Sequence, residues 1–167
     1  LYLDLISSKN TNLIKLFFIK PQLLVNITFR FSNFFKKYKL TFFLYWFFAF
    51  FHYLFCLLLS IQLPLDVKAG PGLIIAHPGT IVFTKKAKLG SFVTIYHSCT
   101  LGTTLNGNSP IVKDFVTIYT GSQILGSTII ESHSKVGAMS LLLNFRGKKF
   151  STIAGIPAKI KRKFSVS

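Results

Sequence analysis

The stretch IVKDFVTIYTGSQILGSTIIESHSKV, residues 111–136, carries an aliphatic residue at every sixth position: Val112, Ile118, Ile124, Ile130 and Val136. The beat extends upstream through Leu89, Ile95 and Leu101, and before them through Leu63, Ala69, Ile75 and Ile81. Two extra residues between Ile81 and Leu89 shift the register, as does a longer excursion between Leu101 and Val112. An amphipathic helix repeats its apolar residues every three or four positions, and a half-buried strand alternates. A period of six fits neither. It fits a solenoid in which each hexad makes one short strand and one corner, with three hexads to a coil. Four places after the register residues stand Val67, Leu73, Gly79, Val93, Cys99, Val116, Ser122, Thr128, Ser134 and Ser140, mostly small or β-branched, as a tight corner requires.

Pro71-Gly72 and Pro78-Gly79 are turn signals at such corners. Gly102 to Pro110 (GTTLNGNSP) is polar and glycine-bearing, so it projects from the coil as a loop. Insertions of this sort build binding faces in repeat proteins. The chain divides into an apolar and basic helical segment (1–62), the solenoid (63–143) and a basic loop and tail (144–167). The expected class is mainly β, a parallel β-helix preceded by an α-helical segment.

Before the repeats, Ile14, Leu16, Phe17 and Phe18 suggest a short helix or strand. Pro21 suits the first turn of a helix. Leu24, Ile27, Phe31, Phe34 and Phe35 then recur at helical spacing, with Arg30, Lys36 and Lys37 toward the end, which predicts an amphipathic basic helix over 22–37. Leu40 to Ser60 carries no formal charge and meets the roughly 20-residue length of a membrane span. Lys36, Lys37 and Lys39 precede it, so a true span would hold the N-terminus in the cytosol and put the solenoid outside. The order of preference is a helix buried against the solenoid or a sister subunit, then an interfacial helix, then a span. Pro64 is expected to end this helix. The apolar run starts too late, and lacks the cleavage motif, for a secretory signal.

Twenty Lys and Arg stand against four acids, for a net charge of +16. A carboxylate pair for glycoside hydrolysis is thereby excluded, and a hard-metal site lacks ligands. The charge favours anionic partners or a lipid surface. No nucleic-acid recognition motif is present, so no nucleic-acid partner is expected. Cys56 and Cys99 show no metal or redox spacing and read as small buried hydrophobes.

Of four histidines, His52 lies in the apolar run and reads as structural. His77 and His97 each follow a register isoleucine by two places, so they belong on one face in successive coils. His133 follows Ile130 by three and points elsewhere. Two aligned imidazoles fall short of the three or four ligands of a zinc site, so no metal is expected. Imidazole can take a proton from an alcohol near neutral pH, which makes His77 and His97 the candidate catalytic pair.

Four segments carry a specific resemblance: GLIIAHPGTIV (72–82), IYHSCTLG (95–102), IYTGSQILG (118–126) and TIAGIPAK (152–159). They resemble the left-handed parallel β-helix of hexapeptide-repeat acyltransferases, and within these the serine acetyltransferase branch. The left hand comes from the resemblance alone. The resemblance implies that His77 is the general base for acetyl transfer from acetyl-CoA. It implies a homotrimer with CoA in a groove between coils of neighbouring subunits, at Gly102, Thr103, Thr120, Gly121, Gly137, Ala154, Gly155 and Lys159. Lys159, Lys161, Arg162 and Lys163 would meet the nucleotide phosphates. It places the acceptor near Gln62 and Ser109, and the reaction in the cytoplasm, at or near the inner membrane face.

Departures concern the acceptor. Ala76 stands where the family has an Asp before the base, Gln62 where it has an acid, Ser109 where it has a second loop His, and Thr103 where it has a second Gly. The groups that would hold an amino acid are mostly gone. The chain resembles the short, basic, Phe-rich members of this branch associated with capsule or lipopolysaccharide modification, and that resemblance implies acetyl-CoA-dependent O-acetylation of a sugar hydroxyl in a surface polysaccharide. Serine O-acetylation is the alternative, and a non-catalytic membrane-associated scaffold the second alternative.

Overall fold

The computed structural model describes residues 20–38, 42–105 and 107–163. The expectation for Ile14, Leu16, Phe17 and Phe18 lies outside them. Two helices come first, α1 (Gln22–Phe35) and α2 (Phe42–Leu58). Short strands then wind into a three-faced coil. The first face stacks β1 (Ile61–Gln62), β4 (Ile81–Phe83), β7 (Thr100–Gly102), β10 (Gln123–Leu125) and β13 (Leu141–Leu143). The second stacks β2 (Lys68–Ala69), β5 (Lys88–Leu89), β8 (Ile111–Val112) and β11 (Ile129–Ile130). The third stacks β3 (Ile74–Ile75), β6 (Thr94–Ile95), β9 (Thr117–Ile118), β12 (Lys135–Val136) and β14 (Ser151–Gly155), closed by β15 (Ala158–Lys163). Every pairing is parallel except β14 with β15.

The six-residue beat places one large side chain per strand inside the coil. Ile75 pairs with Ile95, Ile95 with Ile118, Ile118 with Val136 and Val136 with Ile153. All are buried. Such columns bury apolar surface worth roughly 25 cal/mol per Å². At the corners Ser122, Thr128, Ser140 and Ser151 are also buried. Each hydroxyl donates to a carbonyl three residues back, at 2.6–2.7 Å. A small polar side chain there closes the turn without leaving a buried hydroxyl unpaired.

One register assignment needs correction. Ile61 pairs with Ile81, and Phe83, not Ile81, pairs with Leu101. The two extra residues therefore lie between Ile75 and Ile81, in the corner that bears His77. Ile81 takes the place two before the register residue, which Cys99 and Ser122 hold in later coils. Ile81 and Phe83 are both apolar and both buried, so hydrophobicity alone could not separate them. The coil also outruns its expected bounds. Pairing starts at Ile61, before Pro64, and α2 has already ended at Leu58. After Leu143, Ile129 still bridges to Arg146, and the fifth coil closes at Ile153.

The corner between the second and third faces carries an aromatic stack. Phe92, Phe115, His133 and Phe150 lie ring on ring at 5.0, 4.8 and 4.8 Å, within 8° of parallel. All four have positive φ. Each left-handed residue costs about 1–2 kcal/mol, and each ring pair returns about 0.5–1.5 kcal/mol. His133 thus points away from His77 and His97.

α1 closes the open end of the coil. Gln22 donates to the Ala76 carbonyl at 3.1 Å and Asn26 to Leu73 at 3.0 Å. Arg30 donates to Ala69 at 2.8 Å and also to Gly70. These carbonyls have no preceding coil to pair with, and the i, i+4, i+8 spacing delivers one donor per turn. The buried face of α1 therefore includes Gln22, Leu23, Val25, Asn26 and Phe29, not the predicted Leu24–Ile27–Phe34 stripe. Phe31 and Phe35 turn instead to Phe48 of α2, at 4.8 and 5.5 Å.

α2 buries only Ala49, His52 and Cys56. The expectation of a helix buried against the solenoid is met along that one line. Phe43, Trp46, Phe50, Tyr53 and Leu57 are exposed. Among the described residues no helix is long and apolar enough to cross a membrane.

Candidate active site

The corner between the third and first faces gathers the candidate catalytic pair. Ala76-His77 and Tyr96-His97 follow β3 and β6, which are in register. The two imidazole centroids lie 6.4 Å apart. The His77 ring also meets Tyr96 at 5.9 Å, and Tyr96 stacks on Tyr119 at 5.2 Å. This aromatic wall was not singled out from the sequence. Its signal is an aromatic one place after the register residue in two successive coils.

The two imidazoles differ in freedom. His97 is half-buried, with Nδ1 3.3 Å from Ser98 Oγ and Nε2 3.3 Å from Thr120 Oγ1. Hydroxyls can donate or accept, so this cradle suits either tautomer. His77 is exposed, and among the described residues it has no hydrogen-bond partner, which leaves its ring nitrogens to a substrate. Cys99, two residues beyond His97, is fully buried. Burial pushes its thiol up from its ordinary pKa. It is a packing residue, not a nucleophile. Cys56 is likewise buried and shifted upward by burial.

His52 is structural. It is fully buried, with Nε2 2.7 Å from the Leu63 carbonyl and Nδ1 3.3 Å from Thr28 Oγ1. Burial lowers its pKa, outweighing the hydrogen bond to the Leu63 carbonyl that raises it.

The residues assigned to CoA fall into two groups. Thr120 and Gly121 lie at the His77 corner, since the Gly121 N–H donates to the His97 carbonyl at 3.2 Å. Gly137, Ala154, Gly155 and Lys159 continue that edge, with Ala154 paired to Lys159 and Gly155 to Ala158. A Cβ on Gly137 would come within 2.9 Å of the Ala154 Cβ. The space beside Gly137 and Gly121 is taken up by Ala154 and Met139 of the next coil, so glycine there allows the coils to pack closely. Gly102 and Thr103 instead lie at the far end of the first face, where β7 runs into the projecting loop. Ser109 is in that loop, and its Oγ is buried without a partner among the described residues. Gln62 lies in a cleft of about 780 Å³ between α2 and the first face, which runs from Thr80 past Val82 to Lys85. Within one chain the structure does not bring the two groups together. Among the described residues no cluster of His, Cys, Asp or Glu could hold a metal.

A three-faced solenoid built on a six-residue repeat defines the fold: a parallel β-helix, here with an imidazole pair on one edge. Over part of their length, serine acetyltransferases are similar to this chain. It is 34% identical over 112 residues to the serine acetyltransferase of Buchnera aphidicola, covering 65% of this chain and 42% of that protein. It is 35% identical over 89 residues to the Bacillus subtilis protein of the same name, covering 52% of this chain and 41% of that one. The chain thus spans less than half the length of these relatives. No family model matches. Among solved structures, a serine acetyltransferase in complex with CoA superimposes with a TM-score of 0.68 at 24% identity, over 81% of this chain and 55% of that one. The Vibrio cholerae enzyme gives 0.72 at 22%, over 85% and 54%. These likenesses bear out the left-handed parallel β-helix.

Proposed function

We propose that this chain is an acetyl-CoA-dependent O-acetyltransferase with His77 as its general base. One observation carries the reading: His77, His97 and a column of small residues (Gly121, Gly137, Ala154) share a single edge of the coil. Bound acetyl-CoA supplies an activated acetyl group as a thioester. A ring nitrogen of His77 takes the proton from the acceptor hydroxyl as its oxygen attacks, and the same imidazolium returns a proton to the departing thiolate. His97, gripped by Ser98 and Thr120, holds the adjacent wall in place. The AGIPAK turn and Lys159 lie where the small-residue edge ends, suited to the phosphates.

The division of the CoA residues between two edges supports a ring of copies. A head-to-tail contact sets the His77 edge of one copy against the Gly102–Thr103 edge of the next, and three such contacts close on themselves. The homotrimer completes a site that a single chain holds only in halves.

The relatives' names favour serine as acceptor, and the first reading is serine O-acetylation. A second reading, a sugar hydroxyl, is favoured by what lines the acceptor region: Gln62 and Ser109 in place of an acid and an imidazole, and a crowd of lysines beside them. Both place the reaction where acetyl-CoA is made, in the cytoplasm. Purified protein given acetyl-CoA and either serine or a panel of glycans, with free thiol as the readout, separates the two. Loss of CoA release in His77→Ala is expected with either acceptor, and unchanged turnover in that variant overturns the base assignment. No CoA binding by calorimetry would leave a scaffold.

The same reading sets the molecule on a lipid surface. The exposed side chains of α2 cover an arc of roughly 200° at 3.6 residues per turn. That is wider than a flat protein contact covers, and a fluid apolar boundary fits it. Trp46 and Tyr53 are residue types that favour the headgroup level.

A further inference from the structure

The edge that carries Gly102 and the projecting loop also carries a concentrated positive charge, which the acetyl-transfer chemistry does not use. A cleft of about 490 Å³ is lined by Lys68, Lys85, Lys86 and Lys88, by Gly107 to Ser109 of the loop, and by Asp66. Lys68 and Lys88 are direct cross-strand partners in the β2–β5 pair, so their side chains leave the same face one strand spacing apart, about 4.8 Å. Like charges directly opposite each other destabilise a sheet. Against these four lysines stands one carboxylate, Asp66, which also pairs with Lys36 at 2.9 Å, so the cleft keeps a net positive charge. The Asp66–Lys36 contact holds its carboxyl below the usual range. The Ser109 hydroxyl, buried without a partner among the described residues, adds a hydrogen-bonding group to the same wall.

The neighbouring cleft shares Lys85 and runs back along the first face to Thr80, three residues from His77. The two clefts meet at Lys85, one basic and the other reaching Thr80, and at about 490 and 780 Å³ each has more room than a free amino acid needs. We infer that the lysine cleft binds an anionic group (phosphate, sulfate or carboxylate) of an extended acidic glycan acceptor, whose hydroxyl is presented to His77. This rests on the sugar-hydroxyl reading of the proposed function. Lipid headgroups and the phosphates of CoA share the chemistry. The lysines line a concave cleft rather than the convex face of α2, which favours the glycan over a lipid surface, and CoA affinity in the cleft variant separates the glycan from the phosphates of CoA.

The test is binding of a fluorescent sulfated dextran oligosaccharide to the full chain, by anisotropy at several salt concentrations. The wild type is expected to bind it, more weakly as salt rises, and to ignore neutral dextran. Lys85→Gln/Lys86→Gln/Lys88→Gln should weaken binding by about tenfold or more. A charge-matched control, Lys113→Gln/Lys148→Gln/Lys149→Gln, should bind within about twofold of wild type. Equal losses in both triple variants, or none in the first, overturn the inference, because net charge would then explain the binding. So would a fall in CoA affinity in the cleft variant, or a loss confined to binding of phosphatidylglycerol vesicles. His77→Ala should bind the oligosaccharide as wild type does. If His77→Ala keeps its acetyl transfer, the base assignment fails while the cleft assignment stands.

Discussion

His52 Nε2 lies 2.7 Å from the carbonyl oxygen of Leu63, and this bond ties the apolar helix α2 to the first coil. A carbonyl only accepts, so Nε2 carries the proton in this bond. The folded pKa is lowered by burial. Below about pH 6.5, the reference value of imidazole, the unfolded chain takes up a proton that the buried ring refuses. Stability is therefore full above that pH and falls as pH drops through it. Thermal melts between pH 5 and 8 should show this decline, and His52→Phe should flatten it while costing about 1–3 kcal/mol for the unpaired Leu63 carbonyl.

His77→Ala should lower acetyl transfer by about 10²–10⁴-fold and leave the oligomer unchanged by light scattering. Thr120→Val removes the hydroxyl 3.3 Å from His97 Nε2. A positioning role for His97 predicts a drop in kcat with little change in KM for acetyl-CoA. A rise in KM alone would assign Thr120 to binding instead.

The end of the coil depends on α1. Asn26→Ala strips the donor from the Leu73 carbonyl and should cost about 1–3 kcal/mol in urea unfolding. Asn26→Asp sets a second acceptor against that carbonyl and should cost more. Leu24→Ala, on a half-buried part of the helix, should cost less than either.

The exposed arc of α2 should hold the protein on lipid. Phe43→Ser/Trp46→Ser/Leu57→Ser changes three side chains that are 79%, 57% and 78% exposed. The variant should keep its fold by circular dichroism and lose cosedimentation with phosphatidylglycerol vesicles. Cosedimentation that survives the triple change would remove α2 from the lipid contact.

The residues of the coil were legible because a strand buried on one side needs an apolar residue at a fixed place, and eleven of the twelve places stand in register, Phe83 replacing Ile81 at the other. Ser122, Thr128 and Ser140 were legible as corners for the same reason. The pairing of His77 with His97 followed from counting alone, although the extra residues lie in the His77 corner rather than after Ile81. The acceptor side was less legible. Lys68 and Lys88 are far apart in the chain, and only the coil sets them side by side.

α1 shows the limit most plainly. Its apolar stripe read as the buried face, but the unpaired carbonyls of Ala69, Leu73 and Ala76 drew the Gln22–Asn26–Arg30 line inward.

Local periodicity is a property of the chain, so the coiled architecture, most of the residues inside it and the edge bearing the imidazoles were set by the order of amino acids alone. Which helix face meets the coil, which side chains of α2 stay outside, and which lysines share a cleft were decided by tertiary contact. Those depend on hydrogen-bonding groups and charges contributed by distant segments, whose satisfaction or repulsion exists only once the coil has brought them within reach.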